Sequence, residues 1–210
     1  MSERIRVMIV DDNAVLLVGL MQVIAADPLL ESAGYAESGE DAVELYRRLR
    51  PDVVTMDYEM PGWNGVETTK AILEEFPAAK IILLSVYEKE EDVWQAFRAG
   101  VKGYLTKRAG EVEDILEAIH EVAAGGTFFP AGIAQKIEYR KNQPELSVAE
   151  MSVLQWLSRG LCNKEIAERL VISEAMVKFH IVNLRKKLGA ADRTQAVVAA
   201  CKRGLIRLEE

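Results

Sequence analysis

The sequence has little of several features that mark particular classes of protein. Its two cysteines, Cys162 and Cys201, lie apart with no paired spacing, which is typical of a reduced, cytoplasmic protein. No apolar run approaches the ~20 residues of a membrane-spanning helix. The N-terminus MSERIRVMIVDD lacks the basic head, long apolar stretch and cleavage site of a signal peptide. Two well-separated histidines, His120 and His180, are too few for a metal site. We therefore expect a cytoplasmic protein.

Negative charge is abundant but unevenly distributed. The 210 residues carry a net charge of −7. Residues 144–210 hold 11 basic and 8 acidic side chains, whereas residues 1–143 hold 15 basic and 25 acidic ones. An acidic front half and a basic back half indicate different partners for the two parts.

The front half alternates strand-like and helix-like segments. Short continuous apolar runs are typical of parallel strands that are buried on both faces, and five such strand–helix units predict a doubly wound α/β sheet. The predicted strands are 6–10, 30–35, 53–57, 80–85 and 102–106, and the predicted helices are 14–26, 40–49, 66–76, 90–99 and 112–123.

Charged and hydroxyl side chains stand at the ends of these predicted strands. The first strand ends at Asp11-Asp12, the third at Asp57, the fourth at Ser85 and the fifth just before Lys107. In an open parallel sheet, ligands bind outside the carboxyl ends of the strands. We therefore expect these five side chains to meet at one edge.

Each of these residues alone has an ordinary structural interpretation. Asp11 or Asp12 would serve as a helix N-cap, Lys107 as a solvated lysine and Ser85 as a turn hydroxyl. Together, clustered carboxylates repel one another unless a positive group compensates, and Mg²⁺ would do so. With Mg²⁺ on Asp12 and Asp57, and Asp11 holding a metal-bound water, the free oxygen of Asp57 becomes a nucleophile for a phosphoryl group. Lys107 would offset charge on the transferred oxygens.

Residues 4–125 resemble a response-regulator receiver domain. The motifs VDD, MDYEMPGWNG, LLSVY and KGYLTK occur in the family's order and at its separations. The resemblance implies a phosphoacceptor, Asp57, that receives its phosphoryl group from a histidine kinase. It also implies a Mg²⁺ site formed by Asp11, Asp12, Asp57 and the backbone carbonyl of Glu59. Ser85 would be the switch hydroxyl, Tyr104 the switch aromatic and Lys107 the phosphate partner, although a strand tyrosine is also an ordinary core residue.

The sequence after Gly126 divides into a linker and a helical domain. A polar, charged stretch over 138–145 surrounds Gln143-Pro144. From Leu146 onward the pattern is helical, with no strand signal. We predict a receiver domain over 1–125, a linker over 126–145 and a helical domain over 146–210.

Residues 163–188 have the pattern of a helix-turn-helix. We expect Asn163 to cap a short helix that ends at Leu170, and Ser173 to cap a longer helix that ends near Leu188. The longer helix is rich in basic residues and would fit a DNA major groove. The alternative is a solvated amphipathic helix, which composition alone does not exclude.

The segment 146–203 resembles the LuxR-type DNA-binding domain of NarL/FixJ-class response regulators. GLCNKEIAERL, RKKLG and RTQAV carry the resemblance. It implies base-facing residues at Lys178, Phe179 and Val182, and we add phosphate contacts at Lys164, Arg185 and Lys186. The last helix would form a homodimer contact through Val197, Ala200 and Cys201, the alternative being that it packs as core within the domain.

Three residues depart from the family's pattern. Met176 stands where threonine is usual, Ala149 replaces an arginine, and Val171 occupies a turn position where small or polar residues are common. A β-branched residue is unfavourable there if its φ is positive.

The main hypothesis is a phosphorylation-controlled, non-enzymatic transcription regulator that dimerises and reads two half-sites about one DNA turn (~34 Å) apart. A haloacid-dehalogenase-like phosphatase is the enzymatic alternative, because Asp57-x-Glu59 matches its paired acids. The Asp11-Asp12 pair, the missing lid insert and the DNA-binding-like tail argue against it. An orphan regulator controlled by protein contacts is the third reading.

Overall fold

The computed structural model describes residues 4–107 and 112–206, which form two compact units. The first consists mainly of residues up to Ile137 and the second mainly of residues from Glu138 onward. Within the described residues, no helix combines the length and apolarity that crossing a bilayer requires.

The first unit is built on a five-stranded parallel sheet, which confirms the predicted fold class. The strand order is β2-β1-β3-β4-β5. Neighbouring strands pair in parallel throughout, and every residue of β3 and β4 is buried, as the continuous apolar runs predict. The strands are β1 (Ile5–Val10), β2 (Leu30–Ala36), β3 (Val53–Asp57), β4 (Ile81–Ser85) and β5 (Gly103–Thr106).

Helices cover both faces of this sheet. One hydrophobic cluster joins alternate strand residues to α1 and α5, and the other joins the remaining strand residues to α2, α3 and α4. This arrangement leaves the carboxyl ends of the strands free to carry polar side chains. The helices are α1 (Ala14–Ala26), α2 (Gly39–Leu49), α3 (Gly65–Glu75), α4 (Glu90–Ala99) and α5 (Val112–Ala123).

The start of the predicted linker packs on the first unit. Phe128 forms a parallel bridge with Gly103: its N–H donates to the Lys102 carbonyl (2.9 Å), and its own carbonyl accepts from the Tyr104 N–H (3.1 Å). A further helix, α6 (Ala131–Lys141), follows. Its Ile133 and Ile137 are buried in the cluster beneath α4. Residues 126–137 are therefore ordered parts of this unit, attached at β5.

The second unit is a helical domain with its own core. Ser147 and Glu150 form the predicted capping box of α7, Ser173 caps α9 and Asp192 caps α10. The prediction that Asn163 caps α8 is wrong by one residue, because Cys162 holds the cap position and its N–H donates to the Glu165 carboxylate (2.6 Å). The helices are α7 (Val148–Ser158), α8 (Asn163–Leu170), α9 (Glu174–Leu188) and α10 (Arg193–Arg203).

Val171 ends α8 in the left-handed region, with φ +54° and ψ +46°. The unfavourable geometry anticipated from the sequence is therefore present. A β-branched side chain is poorly tolerated there, because its Cβ crowds the backbone. The turn between α8 and α9 carries local strain at this residue.

Candidate functional site

The ends of β1, β3 and β5 bring a lysine between two carboxylates. Lys107 Nζ lies 2.6 Å from an Asp11 oxygen and 2.9 Å from an Asp57 oxygen. All three side chains are largely buried, so the attraction between their charges is little screened by water. The structure thus brings together three of the predicted site residues.

Asp12 completes a cluster of three carboxylates. Asp11, Asp12 and Asp57 each offer an oxygen, and these oxygens lie within 4.8 Å of one another. Asp12 is exposed, whereas the other two are buried. One lysine does not neutralise three carboxylates, and a set of oxygen donors open to solvent on one side suits a hard divalent cation. The cluster could hold a metal ion.

Neither Asp11 nor Asp12 caps α1. Asn13 occupies the cap, and its side chain accepts from the N–H groups of Val15 and Leu16 (3.0 and 3.3 Å). The Asn13 N–H in turn donates to the second Asp11 oxygen (2.9 Å). Asp11 is therefore fixed by Lys107 on one oxygen and by this turn on the other. The capping interpretation considered from the sequence is wrong.

The loop after Asp57 is folded tightly against it. The Glu59 N–H donates to an Asp57 oxygen at 3.3 Å, and Gly65 begins α3 so close that an added Cβ would lie 2.2 Å from the Asp57 carbonyl. Only glycine fits at such an approach. Glu59 itself is exposed, and its role as a carbonyl ligand remains a prediction.

Burial raises the pKa of Asp57 above its ordinary value. The hydrogen bond and positive charge of Lys107 offset part of this rise, and the neighbouring Asp11 carboxylate adds to it. Removing a carboxylate from water disfavours its charged form. The pocket thus holds a desolvated carboxylate beside a cation, an arrangement suited to nucleophilic attack on a phosphorus atom.

Ser85 and Tyr104 lie on the neighbouring strands. The Ser85 carbonyl accepts from the Lys107 N–H (2.7 Å), which ties the end of β4 to the lysine. The Ser85 hydroxyl accepts from the Tyr87 N–H (2.9 Å). Tyr104 is fully buried and donates its hydroxyl hydrogen to the Tyr87 carbonyl (2.7 Å). The two predicted switch residues therefore hold the same residue of the loop after β4.

A second candidate surface lies on α9. Lys178, Phe179 and Val182, the predicted base-facing residues, are all exposed, as are Lys164 and Lys186. Arg185 differs, because its guanidinium donates to the Ala191 carbonyl and is only partly exposed. Five of the predicted residues thus lie on the accessible helix α9, with Arg185 also engaged in the turn before α10, whereas Lys164 lies on α8.

One ion pair of the second unit is not indicated by any local sequence pattern. Lys187 Nζ lies 2.7 Å from the buried Glu150 carboxylate and donates to the Glu145 carbonyl (2.8 Å). The capping box identifies Glu150 as a helix start, but no local signal identifies a partner 37 residues away. Lys187 therefore joins α9 to α7, while its neighbour Lys186 faces solvent.

The predicted dimer residues of α10 lie partly within the domain core. Ala200 is fully buried, and Val197 and Cys201 are partly buried against the same cluster. The exposed apolar side chain of this helix is Val198. Ala200 therefore packs inside its own unit, and a dimer contact at α10 stays a prediction.

Comparison with known proteins accounts for both units. Residues 7–120 match the family described as "Response regulator receiver domain", and residues 144–200 match "Bacterial regulatory proteins, luxR family". The transcriptional regulatory protein DegU of Brevibacillus brevis is 33% identical over 230 residues, covering 99% of this chain and 97% of DegU. The nitrate/nitrite response regulator NarL of Escherichia coli K12 is 34% identical over 206 residues, covering 94% of this chain and 95% of NarL.

A solved structure shows the same fold. RcsB of Salmonella typhimurium superposes with a TM-score of 0.75 at 22% identity, over 94% of this chain and all of that one. The two family matches cover the sheet-based unit and the helical domain in turn. The chain belongs to the two-component response regulators that join a receiver domain to a LuxR-type helix-turn-helix domain. That family is one of transcriptional regulators.

Proposed function

We propose that this protein is a phosphorylation-dependent DNA-binding regulator in which Asp57 accepts a phosphoryl group from a sensor histidine kinase. The observation that carries the proposal is Lys107 bridging Asp11 and Asp57 at 2.6 and 2.9 Å. It supports Asp57 as the acceptor, because a fixed cation stands where negative charge would arrive.

The proposed transfer is a displacement at phosphorus. An Asp57 carboxylate oxygen attacks the phosphorus, an O–P bond forms, and the N–P bond of the phosphohistidine breaks. The bonding electrons return to the histidine nitrogen. Lys107 offsets charge on the phosphoryl oxygens, while its bond to Asp11 holds its amine in place.

We propose Mg²⁺ as the metal held by Asp11, Asp12, Asp57 and the Glu59 carbonyl. The three carboxylates fit a hard cation by donor type and spacing. When bound, the ion would supply positive charge close to the transferring oxygens. The Asn13 N–H would keep Asp11 oriented toward the site.

We propose that the Ser85 hydroxyl turns from the Tyr87 N–H to donate to the phosphoryl group. The Tyr87 carbonyl also accepts a hydrogen bond from the Tyr104 hydroxyl. A change at Ser85 would therefore act on the same loop residue that Tyr104 binds. Phosphorylation would thus bias an existing equilibrium of this loop.

The proposed nucleic-acid partner is double-stranded promoter DNA, bound by a homodimer that forms on phosphorylation. Lys178, Phe179 and Val182 would face bases, and Lys164 and Lys186 would contact phosphates. Arg185 is ranked below these lysines, because its guanidinium already donates to Ala191. Val197 and Cys201 would contribute to the dimer. The cytoplasmic location and the absence of catalytic turnover remain predictions.

The test is intact mass after incubation with Mg²⁺ and a small phosphodonor, with oligomer size and promoter binding followed in parallel. Wild type should gain one phosphoryl group, dimerise and bind more tightly, whereas Asp57→Asn should do none of these. Asp52→Asn removes a carboxylate that bonds the Arg6 N–H elsewhere in the unit and is the matched control. No mass gain in wild type would overturn the proposal.

A further inference from the structure

The helix α9 carries apolar side chains on two opposite faces. Val177, Leu184 and Leu188 are buried in the domain core. Met176, Phe179 and Val182 are 43%, 55% and 46% exposed. Because they are spaced three residues apart, these three side chains lie on one side of the helix. Phe179, the middle one, is turned about 200° around the helix axis from Val177. This second face does not serve the core of its own unit.

The exposed face is apolar in the middle and basic at its margins. Lys178 and Lys186 on α9, and Lys164 on α8, are exposed cations. The Phe179 ring lies edge-on to the ring of His180, with centroids 5.6 Å apart, which limits its freedom. A ligand for this face needs anionic groups at its margins and apolar groups between them.

The major groove of DNA has that distribution of charge. Phosphates line its two sides, and the C5-methyl group of thymine is the apolar group on its base edges. Phenylalanine and valine have no hydrogen-bonding side-chain atoms, so they would distinguish bases only by shape and by apolar contact. Lys164 and Lys186, which we propose contact phosphates, would then position the helix without specifying sequence.

We infer that Phe179 and Val182 recognise thymine methyl groups, so that the operator carries thymines where the middle of α9 meets the groove. This inference rests on the proposed function and adds to it the chemistry of the recognised base. Covering one methyl group favours binding about fourfold, from the transfer free energy of a buried carbon. Two methyl groups would then give roughly tenfold to twentyfold.

The experiment uses the full-length protein with Mg²⁺ and a small phosphodonor. Bound duplexes are selected from a random pool, and each thymine of the enriched site is replaced in turn by deoxyuridine, which lacks only the methyl group. Binding should weaken about fourfold at the thymines facing α9 and should not change at thymines outside the footprint. The duplex with thymine at that position, which differs from each probe only by the C5-methyl group, is the reference for every comparison.

Variants assign the effect to side chains. Phe179→Ala and Val182→Ala should each abolish the thymine-over-deoxyuridine preference at one position while the flanking contacts persist. Val198→Ala removes methyl groups from a similarly exposed valine of α10 and should leave every preference intact. Because Phe179 and Val182 are exposed, we expect both variants to keep the wild-type circular dichroism spectrum.

The outcomes separate this inference from the proposed function. Sequence-specific binding that is indifferent to deoxyuridine at every position, or an enriched site without central thymines, overturns the inference and leaves the function standing. Failure to enrich any duplex overturns both. Self-association through the α9 face, abolished by Phe179→Ala and unaffected by DNA, would assign the face to a second copy of the chain and would also overturn the inference.

Discussion

At the scale of single residues, Val171 combines a left-handed backbone with an almost fully exposed side chain. Its φ is +54° and its side chain is 90% exposed, so burial of the side chain does not offset the backbone strain. Val171→Gly should raise the free energy of unfolding of the helical domain by about 1 kcal/mol, since glycine adopts this conformation freely. Urea unfolding checks the change.

Val198→Gly is the matched control for that prediction. Val198 is also exposed but lies inside α10, where glycine weakens a helix by roughly 0.5–1 kcal/mol. The two substitutions should therefore act with opposite signs. A destabilising Val171→Gly would show that the side chain makes a contact worth more than the strain.

Asp57 is the second residue whose own energetics can be tested. Burial raises its pKa, which means that folding favours the neutral carboxyl group. This preference stabilises the folded state below the unfolded pKa of about 3.8, and the stabilisation is lost as pH rises through the folded pKa. The Asp57→Asn variant has no carboxyl group to ionise here, so its stability does not fall in this way as pH rises. In EDTA at pH 7 it should be more stable than wild type, with the difference disappearing in acid.

Magnesium should act on the same pair in the opposite direction. An ion that binds only the folded wild type raises its stability, so added Mg²⁺ should narrow the gap between wild type and Asp57→Asn. Calorimetric scans with and without the ion measure this. An equal response of both proteins would place the bound ion away from Asp57.

At the scale of helices, Lys187 and Glu150 join α9 to α7 through a largely buried pair. Lys187→Met should destabilise the helical domain by about 1–3 kcal/mol, because it leaves a buried carboxylate without its counter-charge. The adjacent Lys186 is exposed, so Lys186→Met should change the free energy of unfolding by no more than about 0.5 kcal/mol.

The same pair predicts a dependence on pH. Burial tends to raise the pKa of Glu150, but the hydrogen bonds from Lys187 and the Ser147 N–H outweigh it and leave the pKa lowered. A lowered folded pKa gives stability above the unfolded value of about 4.5, and this stability is lost as pH falls through the folded value. The penalty of Lys187→Met should shrink over that acidic range. A constant penalty would assign it to lost packing.

The segment after α5 is predicted to stabilise the receiver domain. Ile133 on α6 is buried, so Ile133→Ala should cost roughly 2–4 kcal/mol in free energy of unfolding. Gln135 is exposed on the same helix, and Gln135→Ala should stay within about 0.5 kcal/mol. Equal stabilities of the two variants would mean that α6 is not held on the sheet in solution.

These elements show how far sequence patterns reach. The strands and their terminal side chains are predictable, since apolar runs locate buried parallel strands and topology brings their ends together. Asn13 was missed because aspartates beside it are equally good caps. The ordered start of the linker was missed because the polar stretch over 138–145 dominates the pattern of this segment. The packing partners of Phe128, Ile133 and Ile137 lie on other elements and leave no local signal. Lys187 was missed because a distant partner leaves no local signal.

At the scale of the whole molecule, the two parts of the chain differ in the sign of their net charge. Residues 144–210 are net positive within a chain of net charge −7, so binding to DNA should depend on a few exposed lysines. Lys186→Gln should lower the slope of log affinity against log salt by about 0.9 for one lost phosphate contact, with sequence preference retained. Lys202→Gln is the control variant, because it removes a lysine at the end of α10 for which no phosphate contact is proposed.

The position of Phe128 has a consequence for handling the protein. β5 is the last strand of the sheet, and the Phe128 main chain occupies its outward-facing Lys102 carbonyl and Tyr104 amide. A fragment cut before Phe128 would leave this border open to pairing with another molecule. Receiver fragments that end at residue 125 should therefore aggregate, and those that extend through α6 should remain monodisperse.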